Sequence, residues 1–75
     1  MNICDTLIHL NETLDTATMT ALETQLQNMP GVVASRFNPT KVHLLSIAYD
    51  PSRIQATALL KQVHERGYQA QLVGL

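Results

Sequence analysis

Two kinds of apolar spacing follow each other along the chain, and together they restrict the folds it can adopt. From residue 3 to 10 alternate positions separate a core side from a more polar side, as in a strand with one buried side. The core side has Cys4, Thr6, Ile8 and Leu10, and the other has Asp5, Leu7 and His9. After Asp15 the large apolar residues recur every three or four positions, as on one face of a helix. These residues are Met19, Leu22, Leu26 and Met29. Asp15 suits the N-cap because its carboxylate can accept a first-turn amide hydrogen, and Pro30-Gly31 ends the helix.

The middle of the chain predicts a β-hairpin. Residues 32–37 and about 42–49 alternate as two strands, and the intervening Asn38-Pro39-Thr40-Lys41 carries turn residues. In the second of these strands the bulkier side is predicted to face the core. That side consists of Leu45, Ile47 and Tyr49.

A second helix and a last strand complete the pattern. Asp50-Pro51-Ser52 is predicted to end the third strand and to start the helix, which Gly67 stops. Its apolar contacts would come from Ile54, Leu59, Leu60 and Val63. Residues 68–73 alternate as the final strand. The order β-α-β-β-α-β predicts an α+β, ferredoxin-like domain over residues 1–75. Right-handed crossovers give an antiparallel sheet of strand order 4-1-3-2, with both helices on one face.

Composition excludes several classes of function. A net charge of −1 is unfavourable for binding nucleic acid through its phosphates, and the outward positions of the two central strands carry no aromatic residue that could stack on RNA bases. No apolar run is long enough to span a membrane and no signal peptide is recognisable, so we expect a cytoplasmic protein. The sequence has no catalytic grouping of residues, so we expect no enzyme.

Cys4 is the sole cysteine and therefore cannot form an intramolecular disulfide. The alternation of the first strand predicts that it points inward with an inert thiol.

The predicted topology sorts the loops into two ends. Residues 11–18, the hairpin around Pro39 and the helix end at Gly67 meet at one end of the sheet. Cys4, the Pro30-Gly31 turn and residues 49–51 belong to the other end. A chemical site in the first loop would therefore be completed by the hairpin and by the end of the second helix.

Three short stretches resemble signature positions of the heavy-metal-associated domain family. They are Met29-Pro30-Gly31-Val32, Tyr49-Asp50-Pro51 and Gly67-Tyr68-Gln69-Ala70. The family includes soluble copper chaperones, mercury-binding proteins and the N-terminal domains of metal-pumping ATPases, and the resemblance runs from about Thr6 to Val73. It implies the same ferredoxin-like fold. It also implies a protein partner, namely a metal transporter or a metal-handling protein.

The resemblance places the family's metal-binding Cys-x-x-Cys on Asp15 and Thr18, and its preceding Gly-Met on Glu12 and Thr13. Soft Cu(I) selects thiolate and thioether ligands, which an aspartate and a threonine hydroxyl do not provide. The leading hypothesis is therefore a protein-docking module without the thiolate site and without a cofactor.

A metal site of harder ligands at the same end is the alternative. Glu12, Asp15, His43 and His64 could supply carboxylate and imidazole ligands for zinc, nickel or copper(II). His9 is predicted on the helix-free side of the sheet and His43 on the helix side, so the three histidines are not expected to converge. A small-molecule-sensing domain is a weaker third hypothesis.

The helix-free face of the sheet is the predicted interaction surface. Leu7, His9, Leu44 and Ala48 would form it, with Val42 and Val73 beside them. Exposed apolar residues grouped in this way can mark a contact with another protein. Self-association into a homodimer is one such contact, and docking onto a larger partner is another.

Overall fold

The computed structural model describes residues 2–73. Along the chain the elements are β1 (Cys4–Leu10), α1 (Thr16–Gln27), β2 (Val32–Phe37), β3 (Leu44–Tyr49), α2 (Ala56–Glu65) and β4 (Ala70–Val73). This is the predicted order of strands and helices. The strands form one antiparallel sheet in the order β2-β3-β1-β4, which is the predicted order read from the opposite edge. The ferredoxin-like fold is therefore confirmed.

The core lies between the sheet and the two helices. Alternate residues of the two central strands are fully buried, and they meet the buried residues of α1 and α2. The buried apolar residues are Ile8, Leu10, Leu22, Leu26, Phe37, Leu45, Ile47, Leu59 and Val63. Met19, Met29 and Tyr49 are partly buried and pack against this core, so the predicted stripe of α1 and the predicted core side of β3 are confirmed.

The segment before α2 differs from the prediction. The side chain of Asp50 accepts hydrogen bonds from the Ser52 amide at 3.0 Å and the Ser52 hydroxyl at 2.7 Å, and residues 51–53 form a turn. Because Asp50 stabilises this turn, α2 does not begin after Ser52. It begins at Ala56, and the N-cap residue Gln55 makes no side-chain capping bond.

Cys4 also differs from the prediction, because its side chain is exposed rather than buried. The next inward position of β1, Thr6, is buried. Strand alternation fixes the side of the sheet on which Cys4 lies. It does not ensure that the helix layer extends over this end of the strand, and the prediction of a buried thiol was wrong.

Two glycines adopt positive φ angles, Gly31 at 95° and Gly67 at 91°. Gly31 lies in the turn between α1 and β2, and its carbonyl accepts the Asp50 amide hydrogen at 2.8 Å. This bond links that turn to the turn at residues 51–53. A Cβ atom added at Gly31 would lie 2.9 Å from Cγ2 of Ile54, whereas one added at Gly67 would meet no atom within 4 Å. The two positions thus require the same backbone freedom but differ in the space around them.

Glu23 connects α1 to the edge strand β2. Its backbone carbonyl accepts the hydroxyl hydrogen of Ser35 at 2.6 Å, and its carboxylate accepts the amide hydrogen of Phe37 at 2.7 Å. Ser35 is only 2% exposed, and the first of these bonds satisfies its buried hydroxyl. Together the two bonds fix the helix against the outer strand.

Candidate functional site

The first loop, the hairpin and the segment before β4 meet at one end of the sheet, as predicted. The Leu10 amide donates to the carbonyl of His43 at 2.9 Å, and the Asn11 amide donates to the carbonyl of Gln69, also at 2.9 Å. These bonds extend the sheet ladder beyond the strand ends. Any site on the loop is therefore flanked by the hairpin on one side and by β4 on the other.

Asp15 is the N-cap of α1, as predicted, with extended φ and ψ of −74° and 167°. One carboxylate oxygen, Oδ1, accepts the Thr18 amide hydrogen at 2.7 Å. Hydrogen bonding from the Thr18 side chain, and then from its amide, lowers the pKa of Asp15 below its ordinary value of 3.8. The two residues that the resemblance places at the thiol positions thus form a helix cap together.

The other proposed metal ligands are also bonded within the chain. Both carboxylate oxygens of Glu12 lie 3.0 Å from the Gln69 amide nitrogen, which donates to them. Nε2 of His64 donates to the carbonyl of Ala70 at 2.7 Å. In residues 2–73 no group of three or more His, Cys, Asp or Glu side chains is arranged to hold a metal ion.

His43 is held on both ring nitrogens. Its Nδ1 lies 2.9 Å from the Leu10 carbonyl, so this nitrogen carries the proton and donates it. Its Nε2 forms a second hydrogen bond with the hydroxyl oxygen of Thr13, 3.3 Å away. A metal ion could bind this imidazole only after one of these bonds had broken.

His9 and His43 lie together, contrary to the prediction that opposite sides of the sheet separate them. Their rings stack with centroids 5.7 Å apart and planes inclined by 21°. The prediction was wrong because β3 begins only at Leu44, so residue 43 belongs to a turn and does not obey the strand alternation. Strand alternation does place His9 on the helix-free face, next to Leu44.

Two cavities border this end of the molecule. One of about 380 Å³ lies beside the stacked histidines and is lined by Thr40, Lys41, Val42 and Leu44 as well. The other, of about 590 Å³, lies between α1 and the hairpin. Leu14, Met19 and Phe37 provide its apolar wall and Asp15 and Glu23 its acidic groups. Neither cavity is signalled by a motif in the sequence, because each depends on how the hairpin packs.

The predicted interaction surface lies on the side of the sheet away from the helices. Leu7, His9, Leu44 and Ala48 are all partly exposed on it. The strand register arranges this face in rows. One row contains Val73, Leu7, Ser46 and Arg36, and the next contains Asp5, Ala48 and Ala34. We call these residues, with Leu44 and His9, the open face.

No protein-family model matches the sequence, and no curated protein matches it. Solved structures do match its fold. A copper-binding domain from HMA7, a P-type ATPase, superposes with a TM-score of 0.82 at 14% identity and covers 93% of each chain. Oxidized MerP from Ralstonia metallidurans gives 0.83 at 11% identity, over 97% of this chain and 100% of the other.

A third structure is the N-terminal domain of a potential copper-translocating P-type ATPase from Bacillus subtilis, in its Cu(I)-loaded state. It gives a TM-score of 0.84 at 19% identity, over 97% of this chain and 90% of the other. The chain has the fold of a heavy-metal-associated domain. The heavy-metal-associated fold is thus present here in a sequence with one cysteine and no Cys-x-x-Cys motif.

The side chains at positions 15 and 18, where the family resemblance implies the metal site, do not fit a Cu(I) ion. A carboxylate and a hydroxyl at positions 15 and 18 are hard ligands, whereas Cu(I) takes soft sulfur ligands. Oδ1 of Asp15 is also engaged by the Thr18 amide. Cys4 lies beside Tyr49 in the strand register, while His9 near the loop pairs with Leu44, so the one thiol is at the opposite end of the strand from the loop.

Among residues 2–73 no helix is both long enough and apolar enough to cross a membrane.

Proposed function

We propose that this chain is a cytoplasmic protein-docking module on a heavy-metal-associated scaffold, and that it does not act as a thiolate metal carrier. Its partner would be a metal transporter or a metal-handling protein. The observation that carries this proposal is the open face, whose apolar side chains the helices of this chain leave uncovered. Docking requires no catalytic or metal-binding group.

The state of the first loop supports docking rather than metal transfer. A carrier loop must release its ligand groups to the ion and then to the acceptor. Here Asp15 caps α1 and Glu12 holds the Gln69 amide. These side chains stabilise the fold at the position where the family resemblance implies a metal site.

The composition of the open face supports contact with a protein. Leu7, Leu44 and Val73 give it apolar side chains, and Ser46, Ala34 and Ala48 give it small ones on which a partner's larger side chains can pack. Charged residues are few on this face, and their scarcity is typical of the centre of a protein interface. An interface gains affinity when such apolar groups leave water together.

The test is a substitution that changes the open face but not the core. Leu44→Arg places a long cation among the apolar side chains, and Gln27→Arg adds the same charge at the exposed end of α1. Each tagged variant is cross-linked in cells to its neighbours, and the captured proteins are identified by mass spectrometry. We expect a metal transporter or metal-handling protein with the parent chain and with Gln27→Arg, and its loss with Leu44→Arg.

Equal capture of that protein by Leu44→Arg would overturn the role of the open face. Capture of no such protein by the parent chain would overturn the proposed function. Circular dichroism of both variants shows whether the fold is retained. If Leu44→Arg is unfolded, Ser46→Arg, at an exposed position of the same face, replaces it.

The metal-binding alternative is favoured by one observation, which is that Glu12, Asp15 and His43 lie at the same end of the sheet. It is tested by recording amide NMR spectra during addition of Zn(II), Ni(II), Cu(II) and, under reducing conditions, Cu(I). Docking without metal predicts no saturable shift at residues 12–18 or 64–68. Saturable shifts in both segments would establish the alternative.

A further inference from the structure

We propose that the open face pairs with the same face of a second copy of this chain, so that the molecule forms a symmetric dimer. This inference rests on the proposed function, because it names an occupant for the same docking surface. It is carried by the arrangement of charged and apolar residues on the sheet.

Besides His9, the open face carries one acidic and one basic residue, Asp5 on β1 and Arg36 on β2. Both are exposed. In the register, Asp5 lies beside Ala48, and Arg36 lies beside Ser46 on the other side of β3. Strand spacing and rise place their Cα atoms about 12 Å apart. Two strand spacings and two residues therefore separate these opposite charges, and they flank a strip of small side chains.

A single two-fold axis makes these charges complementary. If the axis lies in the interface, passes between Ser46 and Ala48 and runs perpendicular to the line from Arg36 to Asp5, Arg36 of each copy falls on Asp5 of the other. An interface of this kind uses the same surface on both copies, so the ion pair forms twice. Opposite charges that meet in this way favour one relative orientation and increase the association rate.

The same axis also matches the apolar residues. On a flattened sheet, the operation that exchanges Arg36 and Asp5 carries Leu44 onto Val73 of the second copy. Leu7 of each copy lies near the axis. It falls between Leu7 and Ser46 of the second copy, so that a large leucine side chain meets a small serine. Charge pairing and apolar packing are therefore satisfied by one operation.

The dimensions of the face indicate a weak dimer. Four strands at about 4.8 Å spacing and some six residues of length give roughly 350 Å² per copy. Both copies together then bury about 700 Å², below the roughly 1,200 Å² of a standard stable interface. We expect a dissociation constant between about 10 µM and 1 mM, so that dimerisation depends strongly on protein concentration.

The experiment is a charge exchange followed by sedimentation equilibrium over about 10 µM to 1 mM protein. Asp5→Lys leaves two cations on the face and Arg36→Glu leaves two anions, so each single variant should dimerise at least about tenfold more weakly than the parent chain. An equimolar mixture of the two should form a heterodimer, since each cation then meets an anion. The double variant should dimerise like the parent. Lys61→Glu, on the exposed surface of α2, is the control.

Three results would overturn the proposal: a parent chain that stays monomeric throughout, single variants that dimerise as the parent does, or a mixture that forms no heterodimer. The proposed function fails independently. If the parent is monomeric but Leu44→Arg still loses its metal-handling partner, docking stands and self-pairing is wrong. If the charge exchange behaves as expected and no such partner is captured, self-pairing stands and the proposed function is wrong.

Discussion

Gly31→Ala and Gly67→Ala form a matched pair that separates backbone strain from steric overlap. Both glycines have φ angles above 90°, a region that L-residues rarely adopt, so each substitution strains the backbone. Each substitution also makes the unfolded chain less flexible, and this effect favours the folded state by about 0.4–1 kcal/mol. These contributions are similar at the two sites and cancel in the comparison.

The difference between the variants comes from the surroundings of the added methyl group. At Gly31 the new carbon would lie 2.9 Å from Cγ2 of Ile54 and 3.0 Å from Cβ of Arg53, whereas at Gly67 it would have open space. Backbone strain alone costs on the order of 1–3 kcal/mol, and overlap in a packed region adds about 1–3 kcal/mol. We therefore expect Gly31→Ala to be less stable than Gly67→Ala by about 1–3 kcal/mol.

Urea unfolding of both variants and of the parent chain at 25 °C measures this difference. A single core of this size provides only about 3–5 kcal/mol of stability. Gly67→Ala should remain folded in the absence of urea, while Gly31→Ala should lose most of its folding transition. Equal free energies of unfolding for the two variants would refute the steric argument, because they would show that Ile54 moves aside without cost.

Two further predictions concern hydrogen bonds made by carboxylates. Hydrogen bonds from Thr18 lower the pKa of Asp15 below 3.8, and those from the hydroxyl and then the amide of Ser52 lower the pKa of Asp50 in the same way. Both carboxylates therefore stabilise the fold above pH 3.8. This stabilisation is lost as the pH falls through their pKa values in the folded state. Urea unfolding at descending pH should show this loss of stability. The double variant Asp15→Asn, Asp50→Asn should lose less stability as the pH falls. An unchanged pH profile in the double variant would contradict the assignment of the loss to these two carboxylates. Glu23→Ala leaves the Phe37 amide without its partner and should lower the free energy of unfolding by about 1–3 kcal/mol. Glu65→Ala, at an exposed position of α2, should change it by less than about 0.5 kcal/mol; equal losses in these two variants would show that the Glu23 bond is unimportant.

Most of the fold could be predicted from the sequence because apolar spacing records which side of each element is buried. Apart from Cys4, the stripe of α1 and the alternation in β1 and β3 identify the core residues correctly, and turn residues separate the elements. The start of α2 could not be found in this way. Asp50 satisfies the amide and hydroxyl of Ser52 in a turn, and this turn uses the residue types that also begin helices.

The candidate site was less predictable because its contacts join segments that are distant in sequence. The pairing of Glu12 with the Gln69 amide spans the whole domain, and the stacking of His43 on His9 depends on the path of the hairpin. Alternation describes residues within strands, so it misplaced His43 in a turn and could not show that Cys4 at a strand end is exposed. The N-cap role of Asp15 was predictable because it depends on local sequence alone.

The bond between Glu23 and Phe37 also has a consequence for unwanted assembly. The Phe37 amide points away from β3 at the outer edge of the sheet, where the strand of another molecule could add to it. A carboxylate occupies that donor and places a negative charge beside it, and both features oppose edge-to-edge pairing. At the other edge the described part of β4 has four residues, and this short stretch offers little backbone for aggregation. Fibril growth by edge-to-edge pairing is thus hindered at both edges. Contacts through the open face are not hindered, and a symmetric pairing of that face ends at two copies.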